Sequence, residues 1–265
     1  MTFWDKYLHA TGKNKSYVCV GLDSDPARIP AHLTNCENPI FAFNKEIIDA
    51  TKDIVGVYKP NFAFYAAAGK KGLDALEKTM AYIPEDIPVI VDCKVGDIGN
   101  TMKYYGKAFL EEMNADSITV NPLMGHDVLK PLTEYPDKMK FILVLTSNPT
   151  SSDFLKPNDL YKKIAKYVAE NDNKSFGAVV GATNSSELKE LRELMPETVM
   201  LVPGIGAQGG SLEEVMLNAS AGKEDPKLLI NSSRGIIFAS SGKDFAEAAR
   251  AKTLALRDEI NSYLK

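Results

Sequence analysis

The stretch of this sequence with the most chemical potential is residues 91–101, VDCKVGDIGNT, where charged side chains follow an apolar run. Because side chains alternate along a strand, Asp92 and Lys94 should point to the same side. Lys59 follows another apolar run and can approach the same point from the next strand over. Together with Asp97, which lies beyond the strand, these side chains form a candidate Lys–Asp–Lys–Asp array.

An array of this kind favours proton donation. A lysine between carboxylates keeps its proton, because nearby negative charge favours the ammonium form. Lys94 therefore suits a general acid better than an imine-forming nucleophile, which must be a neutral amine. A fixed proton donor beside a fixed anion suits a reaction that builds negative charge on carbon while a carboxylate leaves. A structural ion-pair network is the alternative interpretation.

The acidic residues could also bind a metal. Asp23, Asp92 and Asp97 offer the oxygen ligands that Mg²⁺ prefers. Interleaved ammonium groups would compete for the same oxygens, so a metal is the second choice and we expect none. The three histidines have no metal-ligand spacing.

A second candidate site combines a glycine-rich segment with an arginine. Residues 203–210, PGIGAQGG, are followed after the next apolar run by Ser233 and Arg234. Loops after the last two strands of a barrel commonly bind phosphate through backbone N–H groups. An arginine adds bidentate hydrogen bonds. The segment also matches GxGxxG, but a dinucleotide fingerprint belongs to a first βαβ unit, and this one lies near the C-terminus.

Elements that could bring these residues together are visible along the whole chain. Short apolar runs alternate with helix-period segments, and nearly continuous apolar runs are typical of strands covered on both faces. Eight such units predict an α/β fold, the (β/α)8 TIM barrel, with an open doubly wound sheet as the competitor. The predicted strands are residues 16–22, 54–58, 88–92, 117–120, 141–145, 176–180, 199–202 and 227–230.

The N-terminal segment predicts one more element. Phe3, Trp4, Tyr7 and Leu8 are spaced for an extra helix that covers the bottom of the barrel. The chain has no linker or composition break, so we predict a single domain over residues 1–265.

Local signals mark helix starts and one long loop. Two capping boxes, Asn184 with Glu187 and Ser211 with Glu214, indicate where helices begin. The Pro/Ser/Asn-rich segment Asn148–Asn158 is long for a βα connection and predicts a mobile lid. In a barrel, polar residues that follow the strands share the rim that carries the active site.

Composition excludes several classes of protein. Charged residues make up 25% of the 265 residues and the net charge is −4, so we expect no nucleic-acid partner. The apolar runs are shorter than the ~18 residues of a membrane span, and the N-terminus does not resemble a signal peptide. The three cysteines show no CxxC spacing, which is typical of a reducing compartment. We therefore expect a cytoplasmic protein without a membrane partner.

On these motifs the sequence resembles the orotidine 5′-phosphate decarboxylase family. The signature is Asp92-x-Lys94-x-x-Asp97-Ile98-x-x-Thr101, with Lys59 and PGIGAQGG beside it, and the likeness spans essentially the whole chain. Thr-Ser-Asn-Pro at 146–149 is similar to the longer bacterial-type branch. The resemblance implies a TIM barrel and a cofactor-independent lyase. Its reaction would convert orotidine 5′-phosphate to uridine 5′-phosphate (UMP) and CO₂, the final step of de novo pyrimidine (UMP) biosynthesis.

The resemblance also implies roles for individual residues. Lys94 would protonate C6 of the pyrimidine, with Asp92 near the departing carboxylate. Asp23 and Lys59 would hold the ribose hydroxyls, and Lys59 would order the charges. The further implied contacts are Ser147 to the pyrimidine, Gln208 between base and phosphate, Arg234 to phosphate, Pro203 and Ser233 beside them, and Asp97 and Thr101 into the neighbouring subunit's site.

Shared sites of this kind imply a homodimer. The sequence departs from the family pattern at Ser233, where many relatives have Gly, and at Cys93, which is often Ala and should face away from the substrate. Two other functions remain open: a Mg²⁺-dependent decarboxylase of sugar phosphates on a similar barrel, and a non-catalytic phosphate-ligand sensor. Binding alone does not require opposed buried charges, which argues against the sensor.

Overall fold

The computed structural model describes residues 1–171, 174–206 and 209–265 of the chain. Within these ranges, eight strands form one parallel sheet. The strands are β1 (Val18–Leu22), β2 (Val57–Pro60), β3 (Ile90–Val95), β4 (Ser117–Val120), β5 (Met139–Leu145), β6 (Phe176–Val180), β7 (Met200–Pro203) and β8 (Leu228–Ser232).

The sheet is closed into a barrel. Its strand order is β2-β1-β8-β7-β6-β5-β4-β3, and isolated bridges from Tyr58 to Val89 and from Asn61 to Asp92 join its two ends. Parallel neighbours need crossover connections, and helices between the strands supply them. The predicted (β/α)8 barrel is therefore confirmed, and the open sheet is wrong.

The helices lie mainly around the outside of this barrel. None in the described ranges combines the length and apolar character needed to cross a membrane. They are α1 (Phe3–Asn14), α2 (Pro39–Thr51), α3 (Phe62–Ala67), α4 (Gly69–Tyr82), α5 (Gly99–Gly106), α6 (Ser151–Phe154), α7 (Leu160–Asn171), α8 (Ser185–Leu194), α9 (Leu212–Ala219), α10 (Arg234–Ile237) and α11 (Phe245–Ser262).

Two hydrophobic clusters hold the fold together. The larger one packs the outward faces of the strands against the helices. The smaller one fills the barrel interior, so the barrel is a packed core with its polar residues confined to the ends. This interior cluster includes Cys19, Val57, Ile90, Phe141, Leu143, Val179, Val199, Leu201 and Leu229.

Helix α1 closes the bottom of the barrel, as predicted. Phe3 and Tyr7 are fully buried in the interior cluster, and Phe3 meets Phe141 edge to face at 5.8 Å. Tyr7 donates a hydrogen bond to Asp225, which precedes β8. Leu8 is an exception to the prediction, because it is 46% exposed.

Several strands run further toward their carboxyl ends than the sequence indicates. The second strand, predicted at 54–58, is Val57–Pro60, and the third, predicted at 88–92, is Ile90–Val95. A strand predicted from an apolar run ends at the first charged residue, whereas the backbone hydrogen bonds between strands continue past that residue. Lys59, Asp92 and Lys94 therefore lie within strands, and the sheet holds their backbones in place.

Candidate active site

A chain of opposite charges lies across the carboxyl ends of β2 and β3. The Nζ atom of Lys59 is 2.8 Å from Oδ2 of Asp92, and the Nζ atom of Lys94 is 2.5 Å from Oδ1 of the same carboxylate. Thr119 of β4 donates a third hydrogen bond to Oδ1 at 2.9 Å. Burial alone would raise the pKa of Asp92, but the two ammonium groups outweigh it and hold that pKa well below its usual range.

Of the two lysines that contact Asp92, Lys59 is the buried one. It is 3% exposed, and Oδ1 of Asp23 lies 4.0 Å from its Nζ atom. Burial alone would lower the pKa of Lys59, but the Asp92 and Asp23 carboxylates outweigh it and raise that pKa. The side chain of Lys94, by contrast, is 49% exposed, so its ammonium is the more accessible of the two to a ligand in the cavity.

An irregular backbone places Lys94. Its φ angle is 46°, in the left-handed region that lysine rarely adopts, and the β3–β4 register shifts between Val91 and Val95. The Lys94 N–H donates to Thr119 Oγ1 at 2.8 Å, which holds this bulge. Simple strand alternation therefore predicts the right neighbours, but Lys94 reaches Asp92 through a bulge. Cys93 packs toward the outer cluster, and burial raises the pKa of its thiol to about 12.

The structure does not bring Asp97 to this charge chain. Its Oδ1 atom accepts a hydrogen bond from the N–H of Ile98, and it does not line the cavity described below. Thr101 lies exposed on α5. Among the described residues Asp23 occupies the fourth place in the array, where the sequence suggested Asp97.

A cavity of about 1020 Å³ opens above the charge chain. Leu143, Val179 and Leu201, which also belong to the interior cluster, form its apolar floor. Charged side chains approach it from several strand ends. Among the residues that line it are Asp23, Lys59, Asn61, Asp92, Lys94, Thr119, Ser147, Lys156, Pro203, Asn231, Ser233 and Arg234.

The far side of the cavity has the character of an anion site. Gly204 and Gly206 have φ angles of 100° and 69°, which glycine tolerates readily, and Gly210 N–H donates to Gly204 O at 3.0 Å to close the turn. The exposed Arg234 begins α10 and lines the cavity. It makes no ion pair within the described ranges. Gln208, the predicted bridge between base and phosphate, lies outside the described residues.

Ser233 sits closely against the first strand. A Cβ atom on Gly21 would lie 1.9 Å from Ser233 Oγ, so the serine needs a glycine beneath it. Pro203 ends β7 and reaches the same cavity. Pro203 and Ser233, which the sequence assigned to the phosphate half, are therefore both at the cavity wall.

The loop after β6 supports Ser147. Thr183 Oγ1 donates to the Ser147 carbonyl at 2.9 Å, and Asn184 Nδ2 donates to Thr146 O at 3.0 Å. A Cβ atom on Gly181 would lie 2.6 Å from Ser147 N, so a glycine is required for this close approach.

These contacts overturn one predicted capping box. Asn184 makes no side-chain cap for α8, and Glu187 forms an ion pair with Lys156 at 2.5 Å instead of reaching back to the helix start. The other box is half formed, because Ser211 Oγ accepts a hydrogen bond from Glu214 N. The segment predicted as a lid contains α6 and contributes Lys156 to the cavity; its mobility remains a prediction.

Sequence reasoning missed three polar residues that line the cavity: Asn61, Thr119 and Lys156. Thr119 stands in an apolar run, SITV, where a threonine looks like an ordinary strand residue, although period-two alternation marks it as inward-facing. Lys156 gave no signal, because it stands in an irregular loop. Across residues 1–171, 174–206 and 209–265, no three His, Cys, Asp or Glu side chains converge as a metal site would require.

Comparison with known proteins gives a consistent result. Residues 16–251 match the model of the "Orotidine 5'-phosphate decarboxylase / HUMPS family". Over 259 residues the chain is 46% identical to the orotidine 5′-phosphate decarboxylase of Flavobacterium johnsoniae, with 94% of this chain and 93% of that protein covered.

Solved structures agree with this match. The OMP decarboxylase of Leishmania donovani has a TM-score of 0.84 at 33% identity, with 100% of this chain and 99% of that one covered. The UMP synthase of Leishmania donovani has a TM-score of 0.87 at 34% identity. The match covers 100% of this chain and 57% of the synthase chain.

Proposed function

The chain belongs to the orotidine 5′-phosphate decarboxylase / HUMPS family and is a carboxy-lyase, and we propose that it converts orotidine 5′-phosphate to UMP and CO₂ as the last step of UMP synthesis. The observation that carries the proposal is the ammonium of Lys94, held 2.5 Å from a buried carboxylate at the mouth of a nucleotide-sized cavity.

The chemical step requires charge stabilisation from the protein. When the bond between C6 and the carboxylate breaks, its electron pair stays on C6 in an orbital that the ring delocalises poorly. An ammonium ~4 Å away stabilises that charge by about 4 kcal/mol at an effective dielectric near 20, which is roughly a thousandfold in rate. The Lys94 ammonium then transfers a proton to C6, and the resulting amine regains a proton from solvent.

Asp92 and Lys59 prepare this proton donor. Asp92 is ionised, because two ammonium groups hold its pKa down, and its negative charge lies directly beside the Lys94 ammonium. Lys59 fixes the other carboxylate oxygen at 2.8 Å, so the carboxylate cannot rotate away. Asp92 would face the departing carboxylate of the substrate.

The remaining cavity residues would bind the nucleotide. Asp23 and Lys59 would hold the ribose hydroxyls, Ser147 would contact the pyrimidine, and Arg234 would bind the phosphate. Gln208 would bridge the base and the phosphate, with Pro203 and Ser233 beside it. Binding energy gained at the phosphate, remote from the reacting carbon, can then lower the barrier at C6.

We also propose a homodimer whose sites are shared. Asp97 and Thr101 do not line their own cavity, and several large apolar side chains are exposed in the same part of the sequence, among them Ile98 (52% exposed), Tyr104 (67%) and Met124 (61%). A second subunit would cover these side chains and bring its Asp97 and Thr101 to the Lys94 end of the cavity.

Free cysteines at all three positions fit the proposed cytoplasmic location.

The function can be tested on the wild-type protein. We expect the orotate absorbance to disappear when orotidine 5′-phosphate is added, at the same rate with and without excess chelator. Loss of activity in chelator would favour the Mg²⁺-dependent alternative. Binding of UMP without any turnover of orotidine 5′-phosphate would favour the sensor and refute the proposal.

A further inference from the structure

A buried network of polar side chains lies behind the end of β1, between the barrel and helices α2 to α4. Asn44 donates hydrogen bonds to Tyr65 Oη at 3.0 Å and to Thr79 Oγ1 at 2.9 Å. The Tyr65 hydroxyl donates to the carbonyl of Leu22 at 2.8 Å. Ser24 Oγ donates to Asn44 Oδ1 at 2.5 Å. The network therefore ends on the two residues that flank position 23.

Burying these polar side chains costs free energy, because they lose their hydrogen bonds to water. Asn44, Tyr65 and Thr79 are 0% exposed and Ser24 is 1% exposed, so none of these groups hydrogen-bonds to bulk water. Well-packed apolar side chains often stabilise such a place as well as a polar network does. A fully satisfied network does fix one geometry, and here that geometry is the course of residues 22–24.

Asp23 depends on this geometry. It lines the cavity, and its Oδ1 atom is buried with no hydrogen-bond partner among the described residues. The Lys59 ammonium is 4.0 Å from that atom, too far for a hydrogen bond. A buried carboxylate oxygen without a donor is expensive, and a hydroxyl group entering the cavity would satisfy it.

We propose that Asn44 and Tyr65 are positioning residues that hold Asp23 where its free oxygen accepts from a sugar hydroxyl, and that they thereby set the preference for ribonucleotides over deoxyribonucleotides. The inference rests on the proposed function, because it takes the cavity ligand to be a nucleotide. The two residues touch no ligand themselves; they act through Leu22 and Ser24.

The test compares two buried tyrosines. Tyr65→Phe removes the hydroxyl that joins Asn44 to Leu22, whereas Tyr7→Phe removes an equally buried hydroxyl at the opposite end of the barrel. For each protein, calorimetry gives the affinities for UMP and for its 2′-deoxy and 3′-deoxy analogues. Asp23→Asn identifies which hydroxyl Asp23 contacts.

For that hydroxyl, we expect Tyr65→Phe to lower the ribose-to-deoxyribose affinity ratio roughly fivefold to tenfold, the worth of one well-placed hydrogen bond. Tyr7→Phe should leave the ratio at the wild-type value. Thr79→Ser keeps the hydroxyl that Asn44 binds and should also preserve it. An unchanged ratio in Tyr65→Phe, or an equal fall in both tyrosine variants, would overturn the inference.

Two further results keep the test decisive. If Tyr65→Phe does not fold, Ser24→Ala removes the other end of the network and must give the same fall. Suppose that the wild-type protein decarboxylates orotidine 5′-phosphate but Ser24→Ala keeps the wild-type ribose-to-deoxyribose affinity ratio. That result would overturn this inference and leave the proposed function intact. A wild-type protein that binds no UMP would overturn the proposed function and this inference together.

Discussion

At the scale of single residues, the site depends on charges that are buried but paired. Asp92 receives hydrogen bonds from Lys59, Lys94 and Thr119. Removing one partner of a buried ion pair typically costs about 3–5 kcal/mol, because it leaves an uncompensated charge. Single substitutions here therefore test stability and function together, and they need double variants as controls.

The pair of Lys59 and Asp92 makes the free energy of unfolding depend on pH at both extremes. The folded pKa of Asp92 is lowered, so its contribution is present above the unfolded value of about 3.9 and is lost as pH falls toward the folded pKa. The folded pKa of Lys59 is raised, so its contribution is present below the unfolded value of about 10.4 and is lost as pH rises through the folded pKa.

Denaturant titrations of the wild type and of the double variant Lys59→Met/Asp92→Leu measure this effect. We expect the wild-type free energy of unfolding to fall more steeply than that of the double variant below about pH 4 and above about pH 10.4. Parallel curves for the two proteins at both extremes would contradict the pairing.

At the scale of elements, the loop after β6 acts as a brace for the loop after β5. Asn184→Ala removes the hydrogen bond to Thr146 O and should raise KM for orotidine 5′-phosphate about fivefold to tenfold, with a smaller change in kcat, because the pyrimidine contact at Ser147 loosens. Ser211→Ala is the matched control, since it removes a real N-cap from α9. It should cost about 1 kcal/mol of stability and leave KM unchanged.

A steady-state comparison of the two variants distinguishes a brace from a simple cap. If Asn184→Ala and Ser211→Ala change KM equally, the contact to Thr146 does not position the substrate loop.

The same elements show what sequence can and cannot predict. Apolar runs gave all eight strands, because burial on both faces determines their composition. The bulge at Lys94 left no local signal, since the left-handed backbone is held by Thr119, 25 residues away along the chain. Asn184 and Glu187 had the spacing of a capping box, but tertiary partners on the β5 loop displaced the local hydrogen bonds.

At the scale of the whole molecule, residues from both ends of the chain share one sheet. β1 pairs with β8, and α1 fills the bottom of the barrel. We therefore propose that residues 1–265 form one domain. Trp4, the sole tryptophan, reports on α1, while circular dichroism reports on all helices. Denaturation curves from the two signals should coincide, and an earlier fluorescence transition would contradict a single cooperative unit.

The proposed dimer predicts complementation between two inactive variants. Lys94→Ala removes the proton donor, and Asp97→Ala removes a group that acts in the partner's site. Mixed dimers contain one site with both residues intact, so mixing equal amounts should restore about a quarter of wild-type activity when chains exchange freely. A mixture as inactive as its components, with mixed dimers demonstrated by mass, would contradict shared sites.

Proton donation by Lys94 is tested by the decarboxylation rate of Lys94→Ala beside that of Lys156→Ala, a variant of a second lysine that lines the cavity. We predict that Lys94→Ala slows CO₂ release by at least roughly a thousandfold while its UMP affinity stays within about tenfold of wild type. Lys156→Ala should keep most of the rate. A Lys94→Ala protein that releases CO₂ at nearly the wild-type rate would show that Lys94 is not the proton donor.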